Sequence, residues 1–146
     1  MTGVPLSPLP GRVGEVLVGP EPVVLDPGDR PTARVVVENT SDWPVVITSH
    51  FHFFEANRRL RFDRGAAFGL HLDLPAGSSA RFDPGETRAV DLVGYAGERA
   101  LHGFNGLTNA VLGTGEELER QRAAAVARAR AAGFLDASAP DPATDR

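Results

Sequence analysis

Two histidines one residue apart, with a glutamate three positions on, open the chemical reading: Ser49-His50-Phe51-His52-Phe53-Phe54-Glu55. On a strand, alternation puts His50 and His52 on one face with Cα atoms about 7 Å apart, where two imidazoles could share a metal ion. The plainer reading makes them hydrogen-bonded polar residues beside an aromatic cluster, or residues of an interface. The chain has four His, no Cys, and 15 basic residues that are all Arg. Thiolate nucleophiles, disulfides, Cys-ligated zinc, Schiff bases and a lysine-derived metal bridge are therefore beyond this chain. Arg58, Arg59, Arg61 and Arg64 form a basic cluster that Glu55, Asp63 and Asp73 can neutralise, which suits an interface or salt bridges. Ser78 and Ser79 lack an evident base, and Gly94-x-x-Gly97 lacks the lysine of a phosphate loop. Asp63, Asp73 and Asp83 are too dispersed to form an acid–base pair.

Short strands must hold these groups. Gly 16 and Pro 12 in 146 residues favour turns over long helices and an all-β core, and the length suits one domain. The net charge of −4, with both signs interspersed, lacks the footprint of a nucleic-acid binder. No apolar run approaches the roughly 18–20 residues of a membrane span, and Met1 to Gly11 does not read as a signal peptide, so the expected location is cytoplasmic. Residues 1–10 read as a flexible N-terminal arm. Strands are expected at Glu15 to Val18, Pro22 to Leu25, Thr32 to Glu38, Leu70 to Leu74, Arg81 to Phe82, Thr87 to Val93 and Leu101 to Leu107, with dense core at Trp43 to Phe54. Asn57 to Arg64 reads as a polar connection, and Asp26 to Asp29 and Asp83 to Glu86 as turns. Phe51, Phe53, Phe54, Phe62, Phe68, Phe82 and Phe104 are most simply core. Beyond Gly113, Thr114 and Glu117 form a capping box for a helix of about five turns that Gly133 can close. Its thin apolar stripe of Leu118, Ala125, Val126 and Ala129 marks a solvated or partner-docked appendage, and Asp136 to Arg146 a disordered tail.

The His-x-His spacing, with Gly69 to Gly77 fitting Gly, five residues, Pro, any, Gly, resembles the jelly-roll metalloenzymes of the cupin family. That pattern then breaks: Ala80 stands at its third His, Pro84 at its Asn, and Glu55 is one residue too close to His52. A fuller match covers about Gly11 to Gly113. The run Ser49 to Asn57, followed by Leu60-Arg61-Phe62-Asp63-Arg64, resembles the signature of the urease β subunit. Leu72-Asp73-Leu74-Pro75-Ala76-Gly77, Arg81-Phe82-Asp83-Pro84-Gly85 and His102-Gly103-Phe104-Asn105-Gly106-Leu107 continue that pattern in order. Thr48 replaces the usual Gly before Ser-His, and His71 stands where Arg is commoner.

The resemblance implies a compact jelly-roll or β-clip-like barrel of short strands over residues 11–113; the C-terminal helical extension at 114–135 and the tail after it run past the family's typical ending. It implies a structural, noncatalytic subunit of a nickel-dependent enzyme hydrolysing urea to ammonia and carbamate. No cofactor is expected on this chain, and two nickel ions are expected in the partner α subunit. The implied partners are the α and γ subunits in a trimer of αβγ units, with neither nucleic acid nor membrane. His50, His52, Arg58, Arg59, Arg61 and Asn105 are the expected subunit-interface residues, and N-terminal strand edges are expected to pair with the α-subunit backbone. The alternatives are a cupin-like metal enzyme using His50 and His52, or a free-standing β-sandwich binding module.

Overall fold

The computed structural model describes residues 11, 13–23 and 28–138. The expected arm at 1–10, Val24 and Leu25 of one expected strand, Asp26 and Pro27 of its turn, and residues 139–146 of the expected tail lie outside them. The alternating segment Thr32–Asn39 forms strand β1, buried at Val35, Val37 and Asn39. It pairs antiparallel with β6 (Thr87–Gly94) from Thr32 opposite Val93 to Glu38 opposite Thr87. β3 (Leu60–Arg61) flanks β1, and β4 (Leu70–Leu72) flanks β6, giving the order β3-β1-β6-β4. This sheet curls strongly into half a barrel. β2 (Val45–Thr48) pairs with β5 (Ser79–Phe82), and β7 (Ala100–Leu101) with β8 (Ala110–Val111). Buried Asn39 ties the end of β1 to the second sheet, its Nδ2 donating to the carbonyls of Trp43 at 2.9 Å and Phe82 at 3.0 Å. The expected class, short strands in a curled β fold with a C-terminal helix, is the one observed.

Four local expectations are corrected. Glu15 to Val18 forms no strand, and Val16 and Val18 are exposed at 83% and 88%. A strand needs a neighbouring ladder, and no strand among the described residues pairs with that segment. Asn57 to Arg64 is no polar connection: Leu60, Phe62 and Arg64 are buried while Arg61 and Asp63 face out, a period-2 pattern with an arginine in the last inward position. Asp63 then caps the short helix α1 (Arg64–Ala67), its side chain accepting from the Ala66 N–H at 2.9 Å. Of the strand expected at Leu101 to Leu107 only Leu101 is in a strand, as the end of β7; residues 102–109 form the loop to β8, because Gly103, Phe104, Gly106 and Asn109 all take positive φ. Phe104 is consequently 39% exposed; Phe53, Phe54, Phe62, Phe68 and Phe82 are core, and Phe51 is partly buried against it.

Helix α2 (Gly115–Ala131) has Thr114 at its N-cap, but the Thr114 side chain makes no capping bond, so the expected capping box does not form. Gln121 does the local pinning instead, accepting from the Gly113 N–H and donating to the Val111 carbonyl, each at 3.0 Å. At the other end Gly133, at φ +78, permits a Schellman closure. Its N–H donates to the Arg130 carbonyl at 3.0 Å, and the Phe134 N–H to the Ala129 carbonyl at 2.9 Å. The helix is no solvated appendage, since Ala125, Ala129 and Phe134 join the main core. Two small residues let its backbone lie close to that core, which is why the apolar stripe looked thin. Residues 136–138, within the expected tail, are docked: the Ala137 N–H donates to the Phe62 carbonyl at 2.9 Å. Truncation after Gly113 is expected to lower stability by about 3 kcal/mol or more, since it strips a buried aromatic and a buried hydrogen-bond acceptor together. Guanidinium unfolding of the truncated and full chains measures the difference; equal midpoints would return the helix to the role of an appendage.

Candidate functional site

His50 and His52 do not share a strand face. The chain leaves β2 at Thr48, turns with the Phe51 N–H donating to the Thr48 carbonyl at 3.2 Å, and enters a 3₁₀ turn at Phe53–Glu55. His50 is left outside, its ring stacked on His71 at 5.5 Å and 8° between planes. His52 is wholly enclosed. In a 3₁₀ turn positions three apart eclipse, so His52 meets Glu55.

The two form the centre of a buried brace. Gly69 takes a positive φ that suits glycine, and its N–H donates to His52 Nε2 at 2.9 Å. An acceptor at Nε2 leaves the proton on Nδ1, which donates to Glu55 Oε2 at 2.7 Å. Glu55 Oε1 accepts from the Leu107 N–H at 2.7 Å, and the Glu55 carbonyl from Asn105 Nδ2 at 2.6 Å. Arg128 Nε on α2 donates to the Leu107 carbonyl at 2.8 Å. One histidine and one carboxylate thus fix the entrance of β4, the 3₁₀ turn and the loop after β7, presenting Phe104 and Asn105 at the surface. Phe104 also meets Phe51 edge-on at 5.1 Å. Tyr95 closes the side of this cluster, its hydroxyl donating to the His50 carbonyl at 2.6 Å. Burial, and then the nearby Glu55 carboxylate, push the Tyr95 phenol up from its ordinary pKa, so it stays a donor.

A second buried group holds the other flank. Arg64 is 0% exposed, and its side-chain donors reach five carbonyls: Phe54 at 2.7 Å, Ala56 at 3.0 Å, Asn57 at 3.2 Å, Leu60 at 2.9 Å and Leu135 at 2.6 Å. The guanidinium lies over the Phe62 ring at 4.4 Å and the Phe134 ring at 5.0 Å. Burial lowers its pKa to about 10, partly offset by Asp136, so it remains a cation at neutral pH. Burial would raise the Asp136 carboxyl, but hydrogen bonds from Ser138, the Arg64 N–H and Arg130 outweigh it and hold the group below its ordinary value. That shift stabilises the docked segment above the usual carboxylate range, and the benefit fades as pH falls through the lowered value.

Arg58, Arg59 and Arg61 lie on the surface beyond these anchors. Arg58 sits 5.6 Å over Phe134, and Arg61 faces Glu38 at 3.5 Å. Asn105 and His50 are exposed, whereas His52 can act on an interface only through the loop it supports. Sequence reading missed Glu55 as a brace and Arg64 as an anchor. The three-residue spacing of His52 and Glu55 was the available signal for the first, and the inward register of Leu60, Phe62 and Arg64 for the second.

The nickel that the resemblance implies has no fitting donor set among the described residues. No three of their His, Asp and Glu side chains gather as ligands. Both His52 nitrogens are engaged, and His71 Nδ1 points at the Ser49 and Leu72 carbonyls at 3.1 and 2.9 Å. The metal pairing of His50 with His52 expected from a cupin-like reading is not formed. No helix among the described residues is long and apolar enough to cross a membrane.

Fold and site together define a small curled-β domain whose enclosed polar groups hold its loops and its C-terminal segment in place. The sequence model of the family described as urease beta subunit matches residues 13–111, and the chain belongs to that family. The urease subunit beta of Haloarcula marismortui is 47% identical over 130 residues, covering 88% of this chain and 89% of that one. The urease subunit beta 2 of Brucella abortus is 45% identical over 124 residues, 84% and 77% of the two chains. The urease subunit gamma/beta of Pseudomonas syringae pv. syringae is 52% identical over 106 residues, and this chain spans only 45% of its length.

Proposed function

We propose that this chain is the structural, noncatalytic β subunit of a nickel-dependent urease that hydrolyses urea to ammonia and carbamate in the cytoplasm. In this reading the catalytic α subunit supplies both nickel ions, a γ subunit completes the unit, and three αβγ units assemble. Residues 11–113 form the subunit proper and 114–135 its helical extension. The observation that carries the reading is the family match over residues 13–111, joined to a surface unsuited to a lone monomer. Val13, Val16, Val18 and Val23 are exposed on a segment outside any strand or helix, and Trp43 is 77% exposed. A partner strand laid along that apolar arm would cover its side chains. His50, Arg58, Arg59, Arg61 and Asn105 are the proposed polar contacts, with His52 supporting them from beneath.

Affinity isolation of the tagged chain from its native host, with its companions identified by mass spectrometry, tests this. Recovery of α and γ subunits is expected. Deletion of residues 1–23 is expected to cut that recovery at least about tenfold, because a minority of interface positions carries most of the binding energy. The same deletion should leave thermal unfolding of the isolated chain nearly unchanged. Undiminished recovery would remove the arm from the interface, and recovery of neither subunit would overturn the reading.

A further inference from the structure

We propose that Asn105 is a latent deamidation site, kept unreactive by the His52–Glu55 brace and exposed to reaction when the loop after β7 opens. Asn105 precedes Gly106, the neighbour that least hinders attack on an asparagine side chain because it has no Cβ. In the reaction the Gly106 backbone nitrogen gives up its proton and bonds to Asn105 Cγ. The Cγ–Nδ2 bond breaks, and ammonia leaves carrying that proton. Water then opens the succinimide to aspartate or isoaspartate, so that one water is consumed and one ammonia released per chain.

The fold engages both reacting groups. The Gly106 N–H donates to the Gly103 carbonyl at 2.9 Å, which holds the proton that must leave. Asn105 Nδ2 donates to the Glu55 carbonyl at 2.6 Å, which anchors the carboxamide to a segment 50 residues away in sequence. Glu55 also holds Leu107 through its Oε1, so the same residue grips the loop on both sides of the Asn-Gly bond. The change is one-way. An aspartate at this position has no side-chain N–H for the Glu55 carbonyl, and isoaspartate inserts a methylene into the backbone of a loop held at positive φ on both flanks of Asn105.

The test follows the full chain by peptide mapping at mildly alkaline pH, folded and in guanidinium, scoring the amide-to-acid mass change at Asn105, Asn57 and Asn109. In the unfolded chain Asn105 is expected to convert faster than the other two. In the folded chain its rate should fall at least about tenfold, since reaction then requires local opening. Glu55→Gln, confirmed folded by circular dichroism, is expected to raise the folded-state rate. Equal rates for folded and unfolded wild type, no preference for Asn105 when unfolded, or a folded Glu55→Gln chain with the wild-type rate would each overturn the proposal. If Glu55→Gln does not fold, the wild-type comparison decides.

Discussion

Arg64→Met is expected to destabilise the isolated chain by about 3–5 kcal/mol, enough to remove much of the stability of a domain this size. The wild-type guanidinium loses its hydration on burial, a penalty that five charge-assisted hydrogen bonds and two aromatic faces offset; the net worth of the arrangement is small. Removing the cation is a different matter. Methionine fills the volume but leaves the carbonyls of Phe54, Ala56, Asn57, Leu60 and Leu135 without their donor, most of them in places water does not reach. Because Leu135 follows α2, the docking of the helix should weaken in step with the 3₁₀ turn. Arg64→Lys should lose less but still lose, since an ammonium has three donors and cannot span five acceptors in a plane. Guanidinium unfolding measures each variant, and an Arg64→Met chain within about 0.5 kcal/mol of wild type would show the anchor to be incidental.

Glu55→Gln should cost about 2–4 kcal/mol, although it changes a single atom. The carboxylate accepts at both oxygens, from His52 Nδ1–H and from the Leu107 N–H. Glutamine offers one oxygen and one NH₂, so whichever way it turns, a donor meets a donor. The imidazole cannot resolve this by moving its proton to Nε2, because the Gly69 N–H already points there. Amide hydrogen exchange should therefore quicken at Gly69 and Leu107 together, some distance apart in sequence, while β1 and β6 keep their protection. Unchanged exchange at both amides would mean that the loop is set by its glycines alone.

The β1 and β6 strands were legible because each is half buried, so alternation wrote the inward face into the sequence. The loop after β7 was not, since apolar Leu101 and Leu107 flank a segment whose course is dictated by positive φ at Gly103, Phe104 and Gly106. Period-2 reasoning also placed His50 beside His52, when a turn of period three intervened and separated them. Helix α2 was found by its end signals and misjudged in its packing: alanines at Ala125 and Ala129 make little apolar area yet permit close approach. Arg64 was hidden for the opposite reason, as a charged residue is expected outside and only its register with Leu60 and Phe62 said otherwise.

The central claim is that this chain shapes and supports an enzyme whose chemistry lies in another subunit. The direct measurement is urea hydrolysis by the purified chain alone, followed as ammonia release over many equivalents, and again after α and γ subunits are added and the complex is supplied with nickel. No urea-dependent ammonia is expected from the chain alone, and turnover is expected only from the complex. Sustained, urea-dependent ammonia release by the solitary chain would contradict the account.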